Sequence, residues 1–71
     1  MVNSKITPKD VKEIRQRMKL SQTKFAKLIG TTQNTIYRWE FGIAVPIKIF
    51  QEKIIETARQ HGIDIDGEVG R

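Results

Sequence analysis

Four polar side chains able to recognise nucleic-acid bases fall within a six-residue segment. They are Gln33, Asn34, Tyr37 and Arg38. Glutamine and asparagine amides can donate to and accept from an adenine edge, and arginine can do the same at guanine. On a helix this spacing puts the four side chains on one face, opposite the apolar Ile36 and Trp39. The segment therefore predicts a helix with a core-facing side and a side that could read bases.

Less specific roles also fit these residues. Gln33 and Asn34 could simply begin a helix on a solvated surface. Tyr37 could contact a base or sugar, reach a phosphate through its hydroxyl, or pack locally. Arg38 could reach a base edge or a phosphate. The sequence leaves these alternatives open.

Two further helices precede this one. Thr7, Pro8 and Asp10 have the order expected of a capping box with proline at the first helical position. Ser21 is placed to cap a second helix, which would run from residue 22 to 29 and end at Gly30. The side chains that we expect to face the core are Val11, Ile14 and Met18 in the first helix and Phe25, Leu28 and Ile29 in the second.

The third and fourth helices are also bounded by residues that favour helix starts and ends. Thr32 can cap a helix that runs from Gln33 to Glu40 or Phe41 and ends at Gly42. A fourth helix is predicted from near Pro46 to about His61. Its apolar stripe comprises Ile47, Phe50, Ile54 and Ala58. Gly62 followed by Ile63 fits a glycine C-cap. The pattern predicts a compact all-α fold with four or five helices.

Charge is distributed unevenly along the chain. Residues 1–62 carry twelve Lys or Arg and five acidic residues, a net charge of +7, whereas residues 63–71 carry −2. A strongly basic domain favours a polyanion, although the charge could serve solubility alone. We expect a flexible N-terminus over residues 1–6, a domain over residues 7–63 and an acidic, disordered tail over residues 64–71.

Several functional classes find no support in the composition. Seventy-one residues make one domain, and the absence of cysteine excludes disulfides and thiolate metal sites. The apolar run at residues 43–47 is too short to cross a bilayer, and no signal peptide is apparent, so we expect a cytoplasmic protein. The only histidine, His61, falls at a helix end. We expect no enzymatic activity, no metal and no cofactor.

At these residues the chain resembles the Cro/repressor (XRE-like) type of helix-turn-helix, found in phage repressors and small bacterial regulators. The resemblance covers roughly residues 9–48. It rests on Ile14 with Arg15, on Leu20, Ser21 and Gln22, on Ala26 with Gly30, on Ile36, on Trp39 and Glu40 with Gly42, and on Pro46. It implies a lambda-repressor-like fold, with the helix-turn-helix at residues 22–41 and double-stranded DNA as the partner.

The resemblance also implies roles for individual residues. Amides at the positions of Gln33 and Asn34 read bases in this family, and a glutamine at the position of Gln22 clamps the DNA backbone. Arg15 and Glu40 match a partly buried ion pair between helices 1 and 3.

Phosphate contacts have further candidates. Ser21 and Lys24 lie near the N-terminus of helix 2, where free N–H groups favour an anion. Thr32 and Thr35 could offer hydroxyls to phosphate, or a methyl group to thymine. Lys48 falls in the first turn of helix 4, where the family also meets the DNA backbone. Each lysine could equally be a solvated charge.

One segment departs from the family pattern. Phe41 and Ile43 stand where many members have asparagine and a basic residue that grip a phosphate. With Val45 they could pack beneath helix 4, form a subunit interface or bind another protein. We expect a transcriptional regulator that acts as a small Cro-like repressor and binds a near-palindromic operator as a homodimer. The alternative is an antitoxin-like module whose main partner is a protein.

Overall fold

The structure of the protein is a computed structural model that describes residues 6–63. Its helices are α1 (Pro8–Arg17), α2 (Gln22–Ile29), α3 (Gln33–Glu40) and α4 (Lys48–Gln60). Residues 6–63 contain no strand, and the predicted all-α, four-helix fold is confirmed. Most of the expected flexible N-terminus, residues 1–5, and the expected acidic tail, residues 64–71, lie outside the described residues.

Helices α1, α2 and α3 each begin after a side chain that accepts a hydrogen bond from a free backbone N–H, whereas α4 begins without one. In the α1 capping box, the Asp10 N–H donates to Thr7 Oγ1 and the Thr7 N–H donates to Asp10 Oδ2, both at 3.1 Å. Ser21 Oγ accepts from the Lys24 N–H at the start of α2. At the end of α2, Gly30 has φ 98°, a left-handed conformation that glycine adopts without the steric cost of a side chain.

The core is built from the apolar faces of all four helices. Its buried members are Ile6, Val11, Ile14, Phe25, Ala26, Ile29, Ile36, Trp39, Ile54 and Ala58. Helix α3 packs against α1 and α2, and α4 packs against α2. The rings of Trp39 and Phe50 lie 5.5 Å apart between centroids and join α3 to α4. These contacts fix which side of α3 is available to solvent.

Three residues differ from the sequence-based expectation. Ile6, grouped with the flexible N-terminus, is 2% exposed within the core. Leu28, expected to point inward, is 42% exposed because it lies about 60° around α2 from Phe25 and about 100° from Ile29, on the side away from the buried Ala26. Ile47, expected in the apolar stripe of α4, is 63% exposed. It is the N-cap residue, so the helical spacing does not extend to it.

Candidate nucleic-acid interface

The solvent-facing side of α3 carries the four predicted base-reading side chains. Gln33, Asn34, Tyr37 and Arg38 are all exposed. On the opposite side, Ile36 and Trp39 are 0% and 3% exposed. Two buried anchors three residues apart fix the rotation of the helix about its axis. Helix α3 therefore presents one continuous face with amide, phenol and guanidinium groups to solvent.

Gln33 is held in place by a chain of hydrogen bonds. Its Nε2 donates to Gln22 Oε1 at 2.7 Å, and Gln22 Nε2 donates to Glu40 Oε1 at 3.1 Å. A carboxylate can only accept, so Glu40 fixes the orientation of the Gln22 amide and leaves its oxygen toward Gln33. The Gln33 amide still offers its oxygen and a second N–H to a ligand. Spacing could not reveal this chain, because its members are far apart in the sequence.

The hydrogen bond between Gln33 and Gln22 brings the N-termini of α2 and α3 side by side. Gln22 is the first residue of α2 and Gln33 is the first residue of α3. The first N–H groups of each helix have no partner within that helix, and the helix dipoles make both ends attractive to anions. Two helix ends that favour anions therefore lie next to each other.

Glu40 also anchors Arg15 of α1. Arg15 Nε donates to Glu40 Oε2 at 2.6 Å and Arg15 Nη2 donates to Glu40 Oε1 at 3.2 Å, a fork-shaped pair. Arg15 Nη1 donates to the Leu20 carbonyl oxygen in the α1–α2 connection at 3.0 Å. The side chains of Arg15 and Glu40 are 15% and 2% exposed. The pair ties α1 to the C-terminal end of α3, and the guanidinium makes these hydrogen bonds within the chain.

The predicted phosphate contacts occupy the ends of helices. The hydroxyl of Ser21 accepts from Lys24 N–H, and that of Thr32 accepts from Thr35 N–H. The Thr32 and Thr35 hydroxyls also lie 3.0 Å apart, within hydrogen-bond distance. Lys24 is exposed in the first turn of α2, and Lys48 is the exposed first residue of α4. The three hydroxyls already serve intramolecular bonds, whereas both lysines point to solvent.

An aromatic pair extends the exposed face of α3. The ring centroids of Tyr37 and Phe41 lie 4.5 Å apart with the planes tilted by 32°. Tyr37 is 39% exposed and Phe41 is 65% exposed. Gly42, with φ 74°, then reverses the chain, and the N–H groups of Ile43 and Ala44 donate to the Arg38 carbonyl oxygen. The chain therefore turns back immediately after the aromatic pair.

A strip of exposed apolar side chains follows α3 into α4. Its members, which we call the apolar strip, are Phe41, Ile43, Val45, Ile47 and Ile49. Each is 58–66% exposed, and they make up five of the seven large exposed hydrophobic residues within residues 6–63. Ala44 and Pro46 are the more buried residues between them. Sequence reasoning found the first three but assigned Ile47 to the core and left Ile49 without a role.

Comparison with known families agrees with this arrangement. The family model described as helix-turn-helix matches residues 11–52, more than half of the chain. The chain belongs to the Cro/repressor (XRE) type of this family, a family of DNA-binding transcription regulators. No curated protein matches the chain significantly. Within the described residues, no helix is both long and apolar enough to cross a membrane.

Proposed function

We propose that the protein is a sequence-specific regulator that reads operator DNA by placing α3 in the major groove. The supporting observation is the exposed face of α3, where Gln33, Asn34, Tyr37 and Arg38 stand opposite buried anchors. Residues near the N-terminus of a recognition helix reach base edges first, which makes Gln33 and Asn34 the principal readers. Because Gln33 is already oriented by Gln22, less side-chain entropy is lost when it binds a base.

Contacts to phosphate position this helix on the duplex. Residues 6–63 carry eleven Lys or Arg and five acidic residues, a net charge of +6, which favours binding through counterion release. The N-terminus of α2 lies beside that of α3 and binds the adjacent phosphate. Lys24 and Lys48 add charge there and at the start of α4. The polar side chains assigned to the DNA backbone are Ser21, Gln22, Thr32 and Thr35.

The regulator acts as a homodimer on a near-palindromic operator. Two recognition helices about 34 Å apart would read half-sites one helical turn apart. The apolar strip supports an interface that includes Phe41, Ile43 and Val45. Two such strips pressed together would bury on the order of 1,000 Å², the lower limit for a specific interface. Dimerisation is therefore weak in the free protein and is completed on DNA, where the protein represses by occupying a promoter.

Selection of bound sequences from a random duplex pool tests this function. At about physiological salt, where non-specific binding is weak, we expect enrichment of a palindrome with half-sites one turn apart. The enriched duplex should bind two chains, as measured by analytical ultracentrifugation. Enrichment of no sequence would contradict sequence-specific regulation.

The apolar strip also supports a second candidate, an antitoxin-like module whose main partner is another protein. The two candidates predict different DNA affinities for the double variant Ile43→Ser with Val45→Ser. If the strip joins two copies, the variant should bind a half-site as well as the wild type does but lose affinity for the full palindrome. If the strip serves a different protein, both DNA affinities should stay unchanged. Tyr37 and Gln33 are untouched in this variant, so base reading is preserved.

A further inference from the structure

Phe41 continues the exposed face of α3 beyond its last helical residue. It follows Gln33 by eight residues and Tyr37 by four, a spacing that keeps all three on one side of a helix. Its backbone, with φ −97° and ψ 4°, stays close to helical, and its N–H donates to the Tyr37 carbonyl oxygen at 3.0 Å. The phenyl ring thus belongs to the face that carries the amides, although it has no polar atom.

The geometry points to Tyr37 as an apolar reader of the thymine methyl group, with Phe41 as the residue that positions its ring. This inference rests on the proposed function. The ring centroids lie 4.5 Å apart with the planes tilted by 32°, so Phe41 packs against the Tyr37 ring and restricts its rotation. Tyr37 stays 39% exposed, which leaves part of the side chain open to a base.

The chemistry of the major groove identifies the ligand. Among the groups that base pairs present there, the C5-methyl of thymine is the apolar one, and it is recognised by apolar side chains. The amides of Gln33 and Asn34 and the guanidinium of Arg38 suit the polar base edges instead. A phosphate could engage the Tyr37 hydroxyl, but it would leave the neighbouring phenyl ring against a charged oxygen. A thymine methyl group gives the Tyr37 ring an apolar partner and puts no charge beside the phenyl ring.

Replacing thymine with deoxyuridine tests the inference, because this change removes the methyl group and keeps the base-pairing groups. Each thymine of the selected operator is replaced singly, and affinity is measured for both duplexes. We expect the wild-type protein to bind about fourfold more weakly when one particular thymine of a half-site loses its methyl, the effect of burying one such group. Insensitivity to uridine at every position would overturn the inference.

Variants of the two rings then identify the reader. The measured quantity is the affinity for the thymine duplex divided by the affinity for the uridine duplex. Tyr37→Ala should bring this affinity ratio to about 1 at that position. Phe41→Ala should lower the ratio there and at no other position. Tyr37→Phe and Phe41→Tyr should keep the wild-type affinity ratio, because both positions still carry an aromatic ring. Ile49→Ala removes an equally exposed member of the apolar strip that lies outside α3, so it can weaken binding to both duplexes but should leave their affinity ratio unchanged.

The ratio separates base reading from other roles of these residues. If Phe41 contributes only to dimerisation, its loss weakens both duplexes equally and the ratio stays at the wild-type value. A ratio that persists in Tyr37→Ala and Phe41→Ala would therefore overturn the inference while leaving sequence-specific binding intact. Failure to select any operator would instead remove the proposed function, and this inference with it. Circular dichroism on each variant verifies that the helices are retained.

Discussion

Removing Arg15 should destabilise the fold far more than removing an exposed arginine of the same helix. Glu40 is 2% exposed and accepts two hydrogen bonds from Arg15 and one from Gln22. Arg15→Ala would leave the buried Glu40 carboxylate with the Gln22 amide as its remaining side-chain partner. Breaking a buried pair in this way costs about 3–5 kcal/mol, a large share of the stability that a domain of this size can have.

Urea unfolding followed by circular dichroism at neutral pH measures the effect. Arg17 provides the matched control, because its pair with Glu13 is exposed by 55% and 47% and lies on the same helix. Arg17→Ala should cost less than about 1 kcal/mol. If Arg15→Ala does not fold, Arg15→Met combined with Glu40→Leu replaces both charges with apolar groups. Such replacements are often neutral or stabilising, so this variant should fold.

Two outcomes would refute this reasoning. A cost for Arg15→Ala as small as that for Arg17→Ala would mean that Glu40 is solvated well enough to need no cation. A double variant less stable than Arg15→Met alone would mean that the loss comes from side-chain shape and not from a stranded charge. Either result would also remove the argument that this pair holds α3 against α1.

Two further predictions concern exposed lysines. Lys19 has φ 58°, a conformation that costs a non-glycine residue about 1–2 kcal/mol, so Lys19→Gly should raise the free energy of unfolding by about 0.5–1 kcal/mol after the entropy cost of glycine. In the same urea assay Lys12→Gly, inside α1, should lower it by about 1 kcal/mol, and a loss at both sites would contradict the strain argument. In DNA titrations at several salt concentrations, Lys24→Ala and Lys48→Ala should each reduce the slope of log K against log salt by about 0.9. Lys53→Ala, on an exposed part of α4, should leave the slope unchanged, and equal slopes for all three variants would contradict the phosphate assignments.

Much of the fold could be predicted from local signals in the sequence. The cap of α1 depends on Thr7, Pro8 and Asp10, and the end of α2 depends on Gly30, so a few neighbouring residues determine each boundary. The rotation of α3 could be predicted from Ile36 and Trp39, which are apolar and three residues apart. Features set by adjacent residues are visible without a structure.

Features set by tertiary contacts were less accessible. Leu28 is apolar and adjacent to Ile29, yet only the position of the neighbouring helices decides which of them is buried. The exposure of Ile47 depends on a helix start two residues later than expected. The bond from Gln33 to Gln22 needs two helix N-termini to converge, which no spacing rule predicts. The base contacts themselves stay a prediction.

Affinity for the selected operator shows whether the exposed amides of α3 read bases. Gln33→Ala combined with Asn34→Ala should weaken binding by at least about 1–3 kcal/mol, roughly 5- to 150-fold, and relax preference at particular base pairs. Gln16→Ala combined with Gln60→Ala removes two exposed amides from α1 and α4 and should change neither quantity. An operator bound as tightly and as selectively by the α3 variant as by the wild type would contradict the account.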